Sequence, residues 1–263
     1  MLFSGESRCI YIHPAAHEVI CQLRFPTILS IESREPADFQ EEIRAQFPLY
    51  AQRREAGPAK VIQRAGAAPE LQPSPPVTNY TFVSEDSLWK LNLTKNFISL
   101  STLHYTGWES FAAKLDIALA AFIRIYQPAF FERIGLRYRN IISRSRLELE
   151  DCDWRDLISR SYLGALAEED VSDGMIRHAA TDLELSLSES CFAKIHAEPV
   201  HMKAPGSNEP EAEEKFMLDM DLAMRGNTPA HLAAGALETL HAHSTPLFRG
   251  VITETLHDAM KPL

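Results

Sequence analysis

Three stretches of this chain alternate apolar and polar residues with period two, and this alternation limits the fold more than any other feature. In His17-Glu-Val-Ile-Cys-Gln-Leu-Arg-Phe25, Val19, Cys21, Leu23 and Phe25 fall on one side, with Glu18, Gln22 and Arg24 on the other. Thr181-Asp-Leu-Glu-Leu-Ser-Leu-Ser188 and Phe216-Met-Leu-Asp-Met-Asp-Leu-Ala-Met224 repeat the pattern. A strand of this kind buries one face and wets the other, which predicts an antiparallel sheet with its apolar face covered by helices.

The covering helices are also legible. After Gly107, Trp108, Phe111, Leu115, Leu119, Phe122 and Tyr126 recur at three- and four-residue steps until Gln127-Pro128, which predicts one long amphipathic helix. Pro36 and Asp38 open a shorter helix carrying Phe39, Ile43 and Phe47. Near the end, Asn227 or Thr228 reads as a cap with Pro229 at the first helical position, and Ser244-Thr-Pro246 as the restart of a second helix. Further strands are expected over Tyr80–Ser84, Leu88–Thr94, Phe97–Leu103, Phe131–Ile142 and Cys191–Ala197, with a short helix around Trp154–Tyr162. Residues 56–79, rich in Pro and Ala, read as a long surface connection or a semi-rigid extended arm with a mobile middle. Residues 199–214 read as a polar, acidic loop.

In order, the elements spell strand, helix, three-strand meander and long helix over 1–128, then again over 129–263. Leu23-Arg24-Phe25 sits where Leu136-Arg137-Tyr138 sits in the second unit. The expected fold is therefore α+β: a duplicated unit whose sheets join edge to edge into one curved antiparallel sheet, with helices on one face, like a saddle. The alternative is a helix-grip fold, in which the sheet wraps the last long helix.

Composition narrows the function classes. The chain has 263 residues, 45% of them hydrophobic and 24% charged, so disorder of the whole is excluded. A net charge of −10 disfavours non-specific attraction to DNA or anionic membrane. No apolar run is long enough to span a bilayer, and the opening residues lack the features of a signal peptide. Cys9, Cys21, Cys152 and Cys191 are widely spaced, which fits free thiols in a reducing cytoplasm. Cytoplasmic location is the expectation.

The common catalytic motifs are missing: phosphate loop, nucleophile elbow, zinc helix and dinucleotide turn. Gly206-Ser207, with Asp219 and Asp221 beyond an interval of eleven residues, formally matches the nucleotidyltransferase pattern, in which a carboxylate pair holds Mg²⁺. Its surroundings do not match, because no apolar strand precedes and no apolar-faced helix follows. Asp219 and Asp221 read more simply as the wet side of an amphipathic strand. Arg133, Arg137 and Arg139 form a stripe on one strand face, interrupted only by Gly135, and the repeat adds Arg24 to the same surface. Such a stripe suits phosphate or carboxylate recognition, with the glycine letting a ligand approach. The simpler reading pairs these arginines with Asp219, Asp221, Asp182 or Glu184 on neighbouring strands. His241 and His243 point to different sides of a helix, and Cys191 and His196 to opposite faces of a strand, so neither pair makes a site.

Arg133-Ile-Gly-Leu-Arg-Tyr-Arg-Asn140, with Glu18–Phe25, Tyr105-x-x-Trp108-x-x-Phe111, Leu218-Asp-Met-Asp221 and Leu240-His241…Phe248, resembles a sporadically distributed, uncharacterised bacterial protein family of about this length. The likeness covers essentially the whole chain and departs at Arg139, where that family is expected to carry a β-branched apolar residue. It implies an accessory protein of mobile or defence-type loci, with no established reaction and no catalytic residues to transfer. The leading expectation is a non-enzymatic binding protein without a cofactor, engaging a protein partner, with the acidity of the chain favouring a basic one. The alternatives are nucleic-acid association through Arg24, Arg133, Arg137 and Arg139, and a Mg²⁺-dependent nucleotidyltransferase-like enzyme using Asp219 and Asp221.

Overall fold

In the computed structural model, the alternating segments pair as their apolar faces require. The structure describes residues 2–6, 8–62, 70–171, 175–203 and 213–263, without the side chains of 57–62 and 70–75. Strand β1 (Ala16–Arg24) lies antiparallel to β6 (Phe130–Ile142), and this seam joins two flanks of one nine-stranded, open, curved sheet. On one flank β1 pairs with β5 (Phe97–Thr102), followed outward by β4 (Trp89–Leu93), β3 (Glu70–Val83) and β2 (Leu49–Ile62). On the other, β6 pairs with β9 (Lys215–Pro229), followed by β8 (Cys191–Val200) and β7 (Thr181–Ser186). In each flank the first strand in sequence pairs with the last strand of its meander, and β1 and β6 pair with each other at the seam, but the two flanks are not shown to be copies of one unit.

The flanks are unequal, which corrects the three-strand expectation for the first unit. Much of the stretch read as a connection is a long hairpin: Leu49 pairs with Val83, and the ladder continues, with register shifts, to Ile62 opposite Glu70. Proline is compatible with this strand pair because β2 is a sheet edge, and β3 meets β4 only from Tyr80 to Val83. The expected mobile middle, 63–69, and most of the acidic loop lie outside the described residues.

Helix α1 (Leu29–Ser33) and helix α2 (Ala37–Ile43) follow β1, and α2 packs on α3 (Trp108–Tyr126). The α3 stripe is buried as its spacing predicts, through Trp108, Phe111, Leu115, Leu119 and Phe122. The helix stops at Gln127, in the left-handed conformation at φ 45°, just before Pro128. Two short helices, α4 (Trp154–Leu157) and α5 (Arg160–Leu163), take the place of the single one expected there. Helix α6 (Ala233–Val251) lies on β6 and β9. Leu23, Leu136, Leu222, Phe111, Phe122, Leu240 and Leu247 meet in one core. Burying each such side chain contributes about 1.5–3 kcal/mol.

The C-terminal expectations need two corrections. Thr228 and Pro229 are not a helix start, because β6 is long enough to keep pairing: Phe131 and Phe130 sit opposite them. Gly226, at φ 109°, takes the left-handed turn of the chain where this ladder shifts register. Helix α6 also runs straight through Pro246. A proline removes one backbone donor, and the buried Ser244, Leu247 and Val251 on either side hold the turns together by packing. The break comes at Ile252, after which Thr253 caps α7 (Glu254–Ala259) by accepting from the Leu256 amide.

The residues ahead of β1 run along α6 and are clasped by the far end of the chain. Ile12 and His13 amides donate to the Lys261 and Met260 carbonyls, each at 3.0 Å, and the Leu263 amide donates to the Ile10 carbonyl at 2.8 Å. Among the described residues no helix is long and apolar enough to cross a membrane.

Candidate functional site

The open face of the sheet carries the residues that the sequence singled out. Alternation along β6 puts Arg133, Arg137 and Arg139 there together, and Arg24 on β1 lies directly opposite Arg133. Arg133 donates to both oxygens of Asp221, at 2.7 and 2.8 Å. Arg137 forks onto Asp219, with its Nε at 2.7 Å from Oδ1 and a second, shorter bond from Nη2. That hydrogen bond raises the Arg137 pKa further above its ordinary value. Arg139 donates to Glu18 at 2.8 Å. Only Arg24 has no carboxylate partner among the described residues.

The pairing continues across the second flank. On β8, Lys194 reaches Glu184 of β7 at 3.4 Å, and His196 bridges Asp182 at 2.8 Å and Glu198 at 3.1 Å. Burial works to lower the His196 pKa, but its bonds to the two carboxylates outweigh that and raise it. From β1 outward the rows read acidic, basic, acidic, basic, acidic, which is cross-strand charge matching. Gly135 has a structural reason: a Cβ there would lie 2.1 Å from Arg133 Nη1, because the guanidinium folds across the glycine. The space expected to admit a ligand is filled by the protein's own side chain.

The Asp219 and Asp221 carboxylates, expected on the wet side of their strand, are both held by guanidinium groups, and Asp219 is only 8% exposed. A divalent cation would have to displace those arginines, and among the described residues no group of three or more His, Cys, Asp or Glu is placed to hold a metal. Gly206 and Ser207, the other half of that pattern, lie outside the described residues. Cys191 is buried on the core face of β8, and His196 is on the opposite face.

A second constellation lies on the other face of the same strand. Tyr138 and Asn140 line, from β6, a half-open cavity of about 140 Å³, bordered also by the segment around Arg8–Ala16, by Tyr105–Gly107 ahead of α3, and by α6. The Tyr138 hydroxyl and His241 Nδ1 are 2.9 Å apart. The His241 ring stacks on Trp108, centroids 4.5 Å apart and planes within 9°, while the indole donates to Glu238 at 2.8 Å. Tyr105 meets the Tyr138 ring edge-on at 5.8 Å. Burial pushes both tyrosine pKa values up, and burial, helped by the charge of Arg8, brings His241 down to about 4, so this imidazole is neutral near pH 7. Its Nε2 is buried without a hydrogen-bond partner.

In the sequence Tyr105 is only a mark of resemblance, and His241 is that and one half of a histidine pair set aside because His243 points to another side of the helix. One available signal was parity: Tyr138 and Asn140 share the core-facing side of β6 with Ile134 and Leu136. Polar groups at core positions call for a partner or a ligand. The chain matches no known protein family in the comparison made, and no curated protein matches it either.

Proposed function

We propose that this chain is a non-catalytic accessory protein that binds another protein, and that the contact is made by adding a strand at β7. The observation that carries this reading is the edge itself. Among the described residues the backbone of β7 bonds only to β8, and the charge rows of the open face end there on exposed Asp182 and Glu184. On the core side Leu183 and Leu185 are half-buried and continue the apolar layer. An added strand would complete the backbone ladder. To continue both layers it needs basic residues facing Asp182 and Glu184, and apolar residues facing Leu183 and Leu185. A second copy of β7 would bring two acidic rows together, so the partner is a basic extended segment of another protein. The formal charge of −10 and the resemblance to an accessory family agree with this.

Nucleic-acid binding through the stripe is less favoured because three of its four arginines are already held by carboxylates. The test is purification of the tagged protein from its host with nuclease present, alongside Asp182→Lys/Glu184→Lys. The expected result is a stoichiometric protein partner that resists nuclease and is lost in the double variant. Retention of the partner by that variant would refute the β7 contact. Co-purified nucleic acid that disappears in Arg137→Ala would establish the arginine surface instead.

A further inference from the structure

The cavity on the core face of β6 presents an unusual set of walls. Asn140, Tyr138 and Ser244 are 4%, 5% and 5% exposed, and all three line it. A hydrophobic core normally excludes such groups unless they are fully paired. Here the pairing is incomplete: the Asn140 amide nitrogen is used on the main-chain carbonyls of Leu218 and Tyr138, at 3.1 and 3.4 Å, leaving its side-chain oxygen as an acceptor. The other walls mix aromatic rings, Tyr11, Tyr105 and Phe248, with aliphatic groups such as Ile10, Pro14 and Met220. Both cations at the rim are neutralised within the protein: Arg8 binds Glu109 at 2.9 and 3.3 Å, and Arg249 binds Glu254 at 2.6 and 2.7 Å. A ligand therefore meets rings and hydrogen-bonding groups but no unpaired charge.

We propose that this cavity is a binding site for a small, neutral, planar ring with an amide-like edge, seated among the tyrosines with its donor and acceptor directed to Asn140 and Tyr138. At about 140 Å³ the space suits a single six-membered ring, since an apolar cavity of about 150 Å³ accepts benzene, and a short substituent would point out of its open side. Flat faces stack or meet edge-on with the tyrosines, and the polar end supplies selectivity because an unpaired donor or acceptor there is costly. The site is independent of the β7 edge, and failure of one reading leaves the other standing.

The test is calorimetric titration of the full chain with benzamide, nicotinamide and uracil, against toluene and benzoate as apolar and anionic counterparts. At least one of the three neutral ring amides is expected to bind with Kd below about 1 mM, near −4 kcal/mol, with toluene and benzoate at least tenfold weaker. Tyr138→Phe is expected to weaken the ring amide at least tenfold while leaving toluene unchanged. Thr245 also lines the cavity, and Thr245→Phe, which fills it while leaving Tyr138 and Asn140 in place, is expected to abolish binding of every probe and supplies the answer should Tyr138→Phe fail to fold. Toluene binding as well as the amides, benzoate binding more tightly, no amide binding at about 10 mM, or amide binding unaffected by both variants would each overturn the proposal.

Discussion

The two faces of β6 handle polar side chains in opposite ways. On the open face Arg133, Arg137 and Arg139 stand at the surface, yet each is bound to a carboxylate on an adjoining or nearby strand. On the core face Tyr138 and Asn140 are almost fully buried, yet they border a cavity beside the unpartnered Nε2 of His241. Exposure and availability are therefore inverted along one strand. A charged row held between matching rows on both sides, as on β6, has little left for a ligand, unlike the edge row of β7, which is matched on one side only; a polar cluster in a partly aromatic cavity keeps unused hydrogen-bonding capacity.

This contrast can be broken by substitution. The largest effect is expected from Arg137→Ala, which leaves the nearly buried Asp219 with Arg139 at 4.0 Å as its closest remaining cation. Urea denaturation should show a loss of about 2 kcal/mol, below the cost of an orphaned, fully buried charge because the Arg137 side chain is 45% exposed. Gly135→Ala comes next: it forces the Arg133 guanidinium off Asp221 and should cost up to about 1 kcal/mol, the worth of a part-exposed ion pair, whereas a glycine kept open for a ligand would tolerate alanine.

The histidines on the two sides should respond to pH with opposite signs. His241 stays neutral in the fold down to about 4, whereas an unfolded histidine protonates near 6.5. Its contribution is thus present above pH 6.5 and lost as the pH falls toward 4, by about 1 kcal/mol after allowance for solvent screening. Thermal denaturation of His241→Phe should lack that slope. The raised pKa of His196 gives the reverse: its link to Asp182 and Glu198 stabilises below pH 6.5 and fades as the pH rises past its elevated value. The difference between wild type and His196→Gln should be the smallest of the four, under about 0.5 kcal/mol, and larger at pH 6 than at pH 9.

Local period made the regular elements legible. β1, β6, β9 and α3 fall where alternation and helical spacing place them, because each buries one face against the core. The β2–β3 hairpin escaped because its prolines sit on an edge, where a missing donor costs little, and α6 passes Pro246 because packing outweighs one lost bond. Charge matching on the open face could be read in outline, since Asp219 and Asp221 alternate in the same sense as the arginines. The cavity could not, for its walls come from residues 8–16, 105–107, 138–140 and 241–249, and only the tertiary fold brings them together.

The clasp between residues 10–13 and 260–263 also sets a sequence of events in synthesis. Ile10 cannot receive the Leu263 amide, nor Tyr11 bridge Pro262, until residues 262 and 263 have left the ribosome. At about 5–20 residues per second, a nascent chain spends roughly 10–50 s with β1 made but its covering segment unanchored. During that interval the tyrosine-lined hollow has no roof. Helix α6 arrives long after β1, and only with residues 260–263 does the segment ahead of β1 close over it, so the site matures well after the strands that carry it.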